Sequence, residues 1–185
     1  MSEKIRTFIA IDFPDEVVKE VARVQSVLNT RKFTGKLTEL GNLHLTLKFL
    51  GEIDEEKLNL VKRELGEIKV KKFEARLGDA GSFSYRGKPK IVWIKINGKG
   101  MFELQEKVDK AMLRVGFEKE ERFMSHLTLA RVKYVKSPSN FIEYVKNLSV
   151  REIKFDVEGF KLMASELKSM GPVYETLVEF SLIIP

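Results

Sequence analysis

The tetrapeptide His44-Leu45-Thr46-Leu47 occurs a second time in the chain, as His126-Leu127-Thr128-Leu129. The chain has two histidines, and each occupies the first position of one copy. On average amino-acid composition, such a match arises by chance on the order of once in a thousand or less. Side chains alternate between the two faces of a strand, so each copy presents its histidine and threonine on one face and its leucines on the other. The repeat therefore predicts two core strands, each of which offers an imidazole and a hydroxyl.

Two such strands that face each other across a cleft would bring both imidazoles and both hydroxyls to one point. A neutral imidazole can take a proton from an attacking oxygen, and an imidazolium can protonate a leaving oxygen. Both forms coexist near neutral pH because the unperturbed pKa of histidine is about 6.5. Threonine hydroxyls can donate to phosphate oxygens as charge builds there. This set predicts phosphodiester chemistry, with His44 and His126 as catalytic residues, Thr46 and Thr128 as phosphate ligands, and no metal or other cofactor.

Two other interpretations of the histidines compete with catalysis. A lone histidine on a strand is most often structural or merely exposed, but that interpretation leaves the duplicated motif unexplained. A zinc or dinuclear site needs further ligands on the same face, so a remote Asp or Glu would have to join the two histidines. The chain has no Cys, which excludes disulfides, cysteine zinc sites, iron–sulfur clusters and a cysteine nucleophile.

The composition is that of a folded, mildly basic protein. The chain has 185 residues, of which 43% are hydrophobic, and a formal net charge of +6. This length suits one domain or two small lobes that share a core. The hydrophobic fraction excludes wholesale disorder, and the charge favours an anionic partner. Because no Pro-, Gly- or Ser-rich linker divides the chain, we expect residues 1–185 to form a single domain.

We expect a cytoplasmic protein that does not enter a membrane. The first residues are charged, and no stretch approaches the roughly 18 apolar residues of a spanning helix. The chain has no Cys, few Gln and abundant Lys and Glu. This composition resembles that of thermophile proteins, so we also expect the protein to be heat-stable.

Strand and helix patterns alternate along the whole chain. Alternating or continuous apolar runs predict strands at residues 5–12, 43–50, 73–83, 91–96, 126–132, 155–164 and 173–184. Capping and breaking residues predict four helices. The first begins after Asp12 and the second after Asp54, the third ends before Gly116, and the fourth begins at Ser137 and Pro138. This mixture, with several antiparallel connections, predicts an α+β fold.

Four residues near the motifs are candidates for substrate binding. Strict alternation places Lys48 on the face of the first histidine, where it adds positive charge or is simply an exposed strand-end lysine. Arg131 falls on the leucine face, so it reaches a phosphate or base edge only if the strand has ended or bulged, or if its side chain bends back. Phe83 and Tyr85 adjoin a basic turn and could stack a terminal base. We favour a core position for Phe83 and a half-exposed one for Tyr85.

Longer segments around the motifs match a known family. They are residues 6–12 (RTFIAID), 42–51 (NLHLTLKFLG) and 123–132 (FMSHLTLARV), together with Ser165, Gly171-Pro172 and Tyr174 near the end. The chain resembles the two-histidine phosphoesterases, whose signature is a pair of His-x-Thr-x motifs. Within them it is similar to the RNA 2′,3′-cyclic phosphodiesterases, also called 2′-5′ RNA ligases. The resemblance covers nearly the whole chain.

This resemblance implies a bilobal α+β fold. Two antiparallel-sheet lobes, related by a pseudo-twofold and covered by helices on their outer faces, would each contribute one motif to a central cleft. It also implies hydrolysis of a 2′,3′-cyclic phosphate at an RNA end to a 2′-phosphate. We expect the substrate to be an RNA such as a tRNA fragment, or a nucleotide, and the protein to be a monomer. In the family pattern His44 is the general acid, His126 is the general base, Thr46 and Thr128 bind phosphate, and Arg131 matches a family arginine.

Two other functions stay open at this point. The same acid–base pair could work in reverse and join a cyclic phosphate to a 5′-hydroxyl end in a 2′-5′ linkage. Water at about 55 M competes with that reaction unless the second RNA end is held at high effective concentration. An RNA-binding module without turnover would fit the net charge of +6, but it leaves the matched histidines unexplained.

Overall fold

The structure is a computed structural model that describes residues 4–169 and 171–184. In this part of the chain the strands are β1 (Ile5–Asp12), β2 (Thr34–Leu37), β3 (His44–Ile53), β4 (Phe73–Tyr85), β5 (Lys88–Asn97), β6 (His126–Tyr134), β7 (Lys154–Val157), β8 (Gly159–Lys168) and β9 (Gly171–Ser181). The helices are α1 (Asp15–Asn29), α2 (Glu55–Gly66), α3 (Lys99–Arg114) and α4 (Pro138–Lys146). Each motif histidine is the first residue of a strand. None of the described helices is both long enough and apolar enough to cross a membrane.

The strands form two antiparallel sheets. Sheet A has the order β3-β1-β8-β9, and sheet B has the order β2-β6-β5-β4-β7. The two motif strands lie in different sheets, β3 at the edge of sheet A and β6 inside sheet B, and they contact each other. The predicted α+β fold of two antiparallel-sheet lobes is therefore confirmed.

The motif leucines fasten both strands to the core. Leu45, Leu47, Leu127 and Leu129 are 0–2% exposed, and they belong to one cluster of buried hydrophobic side chains that draws on both sheets and all four helices. Helix α3 packs on strands of both sheets, β3 and β4, whereas α1 and α4 pack on strands of sheet B. Burying a leucine side chain is worth roughly 1.5–3 kcal/mol. This burial assigns the opposite face of each strand to the histidine and the threonine.

Both motif strands contain a bulge directly after the threonine. The pairing of β3 with β1 passes from Thr46 to Lys48, and the pairing of β6 with β5 passes from Thr128 to Ala130. The extra residue in each strand is the second leucine of the motif, so two consecutive side chains occupy buried positions. The order of buried and accessible positions is the same over the first nine residues of β3 and β6, as the pseudo-twofold requires.

Most of the predicted helix ends are confirmed. Asp54 Oδ1 accepts a hydrogen bond of 2.9 Å from the amide nitrogen three residues on, Gly116 follows α3 with a φ of +87°, and Pro138 is the first residue of α4. The prediction that Asp12 caps α1 is wrong. Asp12 is the last residue of β1, and the helix begins at Asp15 after Pro14.

Two strand predictions differ from the structure. The hydropathy pattern does not predict β2, because its four residues are mostly exposed and show no alternation. The predicted strand at residues 155–164 is two strands, β7 and β8, which Glu158 separates. These two strands belong to different sheets, so one apolar run crosses from one lobe to the other.

Candidate active site

The two histidines are held in the same way. His44 Nδ1 lies 2.8 Å from the carbonyl oxygen of Asn42, and His126 Nδ1 lies 2.7 Å from that of Met124. A carbonyl oxygen can only accept, so Nδ1 is the protonated nitrogen of each neutral ring and Nε2 carries the free lone pair. Each neutral ring can therefore accept a proton on Nε2, and each charged ring can donate one from the same atom.

Aromatic rings of sheet A surround the His44 imidazole. The ring centroid of Phe8 lies 4.9 Å from that of His44, and the centroid of Tyr174 lies 5.1 Å away with an interplanar angle of 87°. Phe8 and Tyr174 pack with Ala10 and Met163 in a small apolar cluster that is separate from the main core. Sequence reasoning gave none of these four residues a role at the site.

Strand β9 also supports the residue that orients His44. Asn42 Nδ2 donates a hydrogen bond of 3.1 Å to the carbonyl oxygen of Pro172, while the Asn42 carbonyl oxygen accepts from His44. Two of the residues near the end of the chain that match the family thus support the first histidine. Pro172 does so through the Asn42 side chain, and Tyr174 does so through its ring.

Phe83 has the corresponding position beside His126. The two ring centroids are 5.1 Å apart with the rings nearly perpendicular at 85°, and Phe83 also packs on Trp93 at 5.5 Å. Phe83 is half-buried, so the core position favoured from the sequence is wrong. Tyr85 is 62% exposed and lies at the end of β4.

The threonines lie where the strand period predicts. Thr46 pairs with Ala10, and Thr128 pairs with Trp93. Both threonine side chains are half-buried, like the histidines two residues before them. Each imidazole therefore has a hydroxyl on its own face, and hydroxyls in this position can donate to phosphate oxygens.

The bulge in β6 turns Arg131 toward the face of the second histidine. Arg131 is exposed and pairs with Ile91, which pairs in turn with Phe83, the neighbour of His126. The sequence left three ways for Arg131 to leave the leucine face, namely a strand end, a bulge or a bent side chain. The structure has the bulge. The charge of Arg131 also acts on His44, so this residue of sheet B lies within electrostatic reach of the imidazole on sheet A.

The bulge in β3 has the reverse effect on Lys48, which does not lie on the face of the first histidine. Lys48 is 5% exposed, and its Nζ contacts Asp109 Oδ1 at 2.5 Å and the Glu118 carbonyl oxygen at 2.7 Å. The prediction that Lys48 belongs to the histidine face is therefore wrong. Asp109 also accepts from the Glu120 amide at 3.0 and 3.2 Å. The pair ties β3 and α3 to the segment that leads into the second motif.

Burial lowers the pKa of the His44 imidazole. The hydrogen bond to Asn42 and the carboxylate of Asp12 act in the opposite direction, and the charge of Arg131 lowers this pKa further. Burial also raises the pKa of the Tyr174 phenol, against the charge of Arg131. At neutral pH His44 is therefore mainly neutral, and Tyr174 keeps its proton and can donate.

The accessible side of the two motif strands presents two imidazoles with free Nε2 atoms, two hydroxyls and one guanidinium. These are the kinds of group that acid–base catalysis and anion stabilisation use. Within residues 4–169 and 171–184, no group of three or more His, Asp or Glu side chains is arranged to hold a metal ion.

Comparison with known proteins shows which family the chain belongs to. A model of the LigT-like phosphoesterases matches residues 11–93 and 96–174. The RNA 2′,3′-cyclic phosphodiesterase of Methanocaldococcus jannaschii is 32% identical over 179 residues, which cover 95% of this chain and 100% of the relative. The protein of the same name from Thermus thermophilus is 35% identical over 191 residues, which cover 96% of this chain and 90% of the relative.

Solved structures show the same fold. A crystal structure of a Thermus thermophilus protein superposes with a TM-score of 0.80 at 31% identity, covering 96% of this chain and 98% of that one. Escherichia coli LigT complexed with 3′-AMP superposes with a TM-score of 0.79 at 26% identity, covering 97% and 99%. The fold and the paired motifs define a two-histidine phosphoesterase. Within that class, the chain belongs to the LigT-like phosphoesterase family.

We predict that His44 titrates below the usual histidine range in the free protein. Burial favours the neutral ring, so less than half of His44 should be protonated at pH 6.5, the ordinary histidine value. The chain has two histidines, so an NMR titration shows two sets of imidazole signals, which a His126→Asn variant assigns. A His44 midpoint at or above 6.5 would contradict burial as the dominant effect.

Removing Lys48 should leave the Asp109 carboxylate buried without its cation. Lys48→Met should lower the free energy of unfolding by about 3–5 kcal/mol, measured by urea denaturation. The double variant Lys48→Met/Asp109→Asn should recover part of this loss, because no unpaired charge stays buried. The control is Lys72→Met, whose surface ion pair with Glu158 should contribute at most about 1 kcal/mol. Equal losses for Lys48→Met and the control would show that the buried pair has no special weight.

Proposed function

We propose that the chain hydrolyses RNA 2′,3′-cyclic phosphate ends to 2′-phosphates, by acid–base catalysis with its two histidines and without a metal ion. The observation that carries the proposal is the matched state of the two imidazoles. Each is fixed through Nδ1 by a backbone carbonyl and keeps Nε2 free, and the two histidines begin contacting strands of two different sheets. The relatives named RNA 2′,3′-cyclic phosphodiesterase support the choice of substrate.

In the proposed step His126 is the base and His44 is the acid. Water attacks the phosphorus while His126 Nε2 accepts its proton. The bond from phosphorus to O3′ breaks on the opposite side, and His44 Nε2 donates its proton to O3′. The products are a 2′-phosphate and a 3′-hydroxyl. An in-line displacement needs the base and the acid on opposite sides of the phosphorus, and histidines from two different sheets can meet that requirement.

The acid role requires His44 to be charged when the substrate is bound. Burial opposes that charge, but the cyclic phosphodiester is an anion, and a nearby opposite charge favours the imidazolium. Asp12 pairs directly with His44 between β1 and β3 and acts in the same direction. We infer that substrate binding itself places the proton on His44.

The remaining candidates bind the substrate around this pair. Thr46 and Thr128 donate to the non-bridging oxygens as their charge grows, and the forked guanidinium of Arg131 can contact the same phosphate. Because Phe83 packs edge-on against His126, we expect it to contact the terminal ribose or base. Tyr85 lies farther along β4 and belongs to a more distant part of the surface.

Product analysis tests the reaction. A short RNA with a 2′,3′-cyclic phosphate end is incubated with the protein in EDTA, and the product is compared with authentic 2′- and 3′-phosphates by phosphorus NMR or chromatography. We expect the 2′-phosphate, formed at the same rate with or without EDTA. A predominant 3′-phosphate would contradict O3′ as the leaving oxygen, and inactivation by EDTA would contradict catalysis without metal.

Histidine variants test the roles of the imidazoles. His44→Asn and His126→Asn keep an amide that can donate to the same backbone carbonyl but remove the titratable nitrogen. Each should lower turnover at least about a hundredfold, the usual worth of a general acid or base. Circular dichroism and thermal unfolding serve as the control for folding. Near-normal turnover in either folded variant would end the two-histidine proposal.

A further inference from the structure

Sheet B carries a strip of exposed cations that leads away from the catalytic residues. The strip consists of Arg86, Lys88, Lys90 and Lys133, and it continues the line of Arg131. Among the described residues, no carboxylate forms an ion pair with any of these side chains. Lysines and arginines elsewhere on the surface do form such pairs, for example Lys72 and Arg114. The strip therefore presents positive charge that the protein itself does not neutralise.

The strand register places Lys88 and Lys133 of this strip on the face of the second histidine. Arg131 shares that face, and Lys133 follows it after the buried Val132. In the neighbouring hairpin, Tyr85 lies two residues beyond Phe83, so it has the same face, and it pairs with Lys88. The pairing of β4 with β5 passes from Phe83–Ile91 to Ser84–Pro89, so Lys90 is the extra residue of a bulge between these two pairs. The strip thus runs roughly 15 Å along the strands from Thr128, at about 3.3 Å per residue.

The hairpin that ends the strip has a defined turn. Arg86 and Gly87 have φ values of +49° and +73°, as expected for the two-residue turn that matches the twist of the strands. Tyr85 is 62% exposed, and the Arg86 guanidinium lies 5.2 Å from its ring centroid. An exposed aromatic ring among cations is the combination that binds single-stranded nucleic acid, by stacking bases and by contacting phosphates.

Sheet A, which carries the first histidine, has no comparable surface. On its cleft side Lys161 is already held by two carboxylates, Asp12 at 2.5 Å and Glu179 at 2.9 Å. Phe8, Met163 and Tyr174 make much of the rest of that side apolar. On this side the charge of Arg6 acts near Tyr174, whereas sheet B offers a polyanion that leaves the cleft a row of several exposed cations.

We propose that the strip binds the sugar–phosphate backbone of the nucleotides that precede the terminal cyclic phosphate. The proposal rests on the proposed function, and it makes this chain selective for the ends of RNA strands over free cyclic mononucleotides. The cyclic phosphate lies between the histidines, and the upstream strand follows β6 and the β4–β5 hairpin toward Tyr85.

The test compares two triple variants that lose the same charge. Lys88→Ala/Lys90→Ala/Lys133→Ala removes the lysines of the strip. The control, Lys19→Ala/Lys107→Ala/Lys146→Ala, removes exposed lysines from the helices α1, α3 and α4. For each protein, kcat/KM is measured on a 2′,3′-cyclic mononucleotide and on a single-stranded RNA of about 10 nucleotides with the same end, over a range of salt concentrations.

We expect the wild-type protein to prefer the RNA, with a preference that falls as salt rises, since each phosphate contact adds about 0.7 to the salt slope. The strip variant should lose about tenfold or more on the RNA and stay within about twofold on the mononucleotide, while the control keeps both activities. No preference for RNA in the wild type, or equal losses in the two variants, would overturn the proposal.

A binding measurement separates this proposal from the proposed function. Fluorescence anisotropy with the same RNA carrying a 3′-phosphate end needs no turnover. If the wild type turned over neither substrate, the proposed function would fail, and weaker binding by the strip variant alone would still support the strip as an RNA surface. Equal binding by all three proteins would overturn the strip whatever the turnover.

Discussion

The bulge that follows each motif threonine is the constraint on which the cleft depends. Both motif leucines are held in the core, and because the second of them is the extra residue, the residues that follow it change face. In β3 this change buries Lys48 against Asp109, and in β6 it exposes Arg131 beside the second histidine. One backbone irregularity, used twice, therefore removes a cation from one side of the cleft and adds a cation to the other.

This difference makes a nearly symmetric pair of histidines chemically unequal. Lys48 in β3 corresponds to Ala130 in β6. Arg131 in β6 corresponds to Phe49 in β3, whose side chain is 67% exposed and lies near Phe8. Each imidazole is bound by a backbone carbonyl two residues before it and keeps Nε2 free. His44 lies beside an apolar cluster, however, whereas His126 lies on the sheet that carries the exposed cations. An anionic substrate meets different surroundings on its two sides, so the two rings can take different roles in one direction of reaction.

The sequence predicts the features that depend on burial and strand period. The repeated tetrapeptide is enough to place His44, Thr46, His126 and Thr128 on accessible faces, because a leucine at every second position can only face the core. The bulges are not predictable in this way. The first bulge puts a lysine, Lys48, at a buried position and a phenylalanine, Phe49, at an exposed one, so hydropathy does not show the change of face and the placement of Lys48 fails for that reason. The role of Phe8 is hidden for a related reason. Residues 8–11 are all buried, and periodicity cannot show that Ile9 and Ile11 belong to the main core while Phe8 and Ala10 line the cleft. Asp12 resembles a helix cap in sequence, but Lys161 from a distant strand binds it instead.

The choice of a backbone carbonyl as the partner of each Nδ1 determines how the site can handle protons. A carbonyl fixes the tautomer as a carboxylate would, but it carries no full charge and so favours the imidazolium less strongly. The carboxylate that does lie near His44, that of Asp12, is bound to Lys161 at 2.5 Å, which offsets much of its charge. Burial therefore prevails, and the pKa of His44 lies below its ordinary value. Under the proposed mechanism, the charge that restores the proton must come from the substrate, and the acid forms only where a phosphate is present to be cleaved. After the step His44 is neutral and His126 carries the proton taken from water. A phosphate monoester carries more negative charge than the cyclic diester, so the same physics should hold the product against the charged His126 until that proton is lost to solvent.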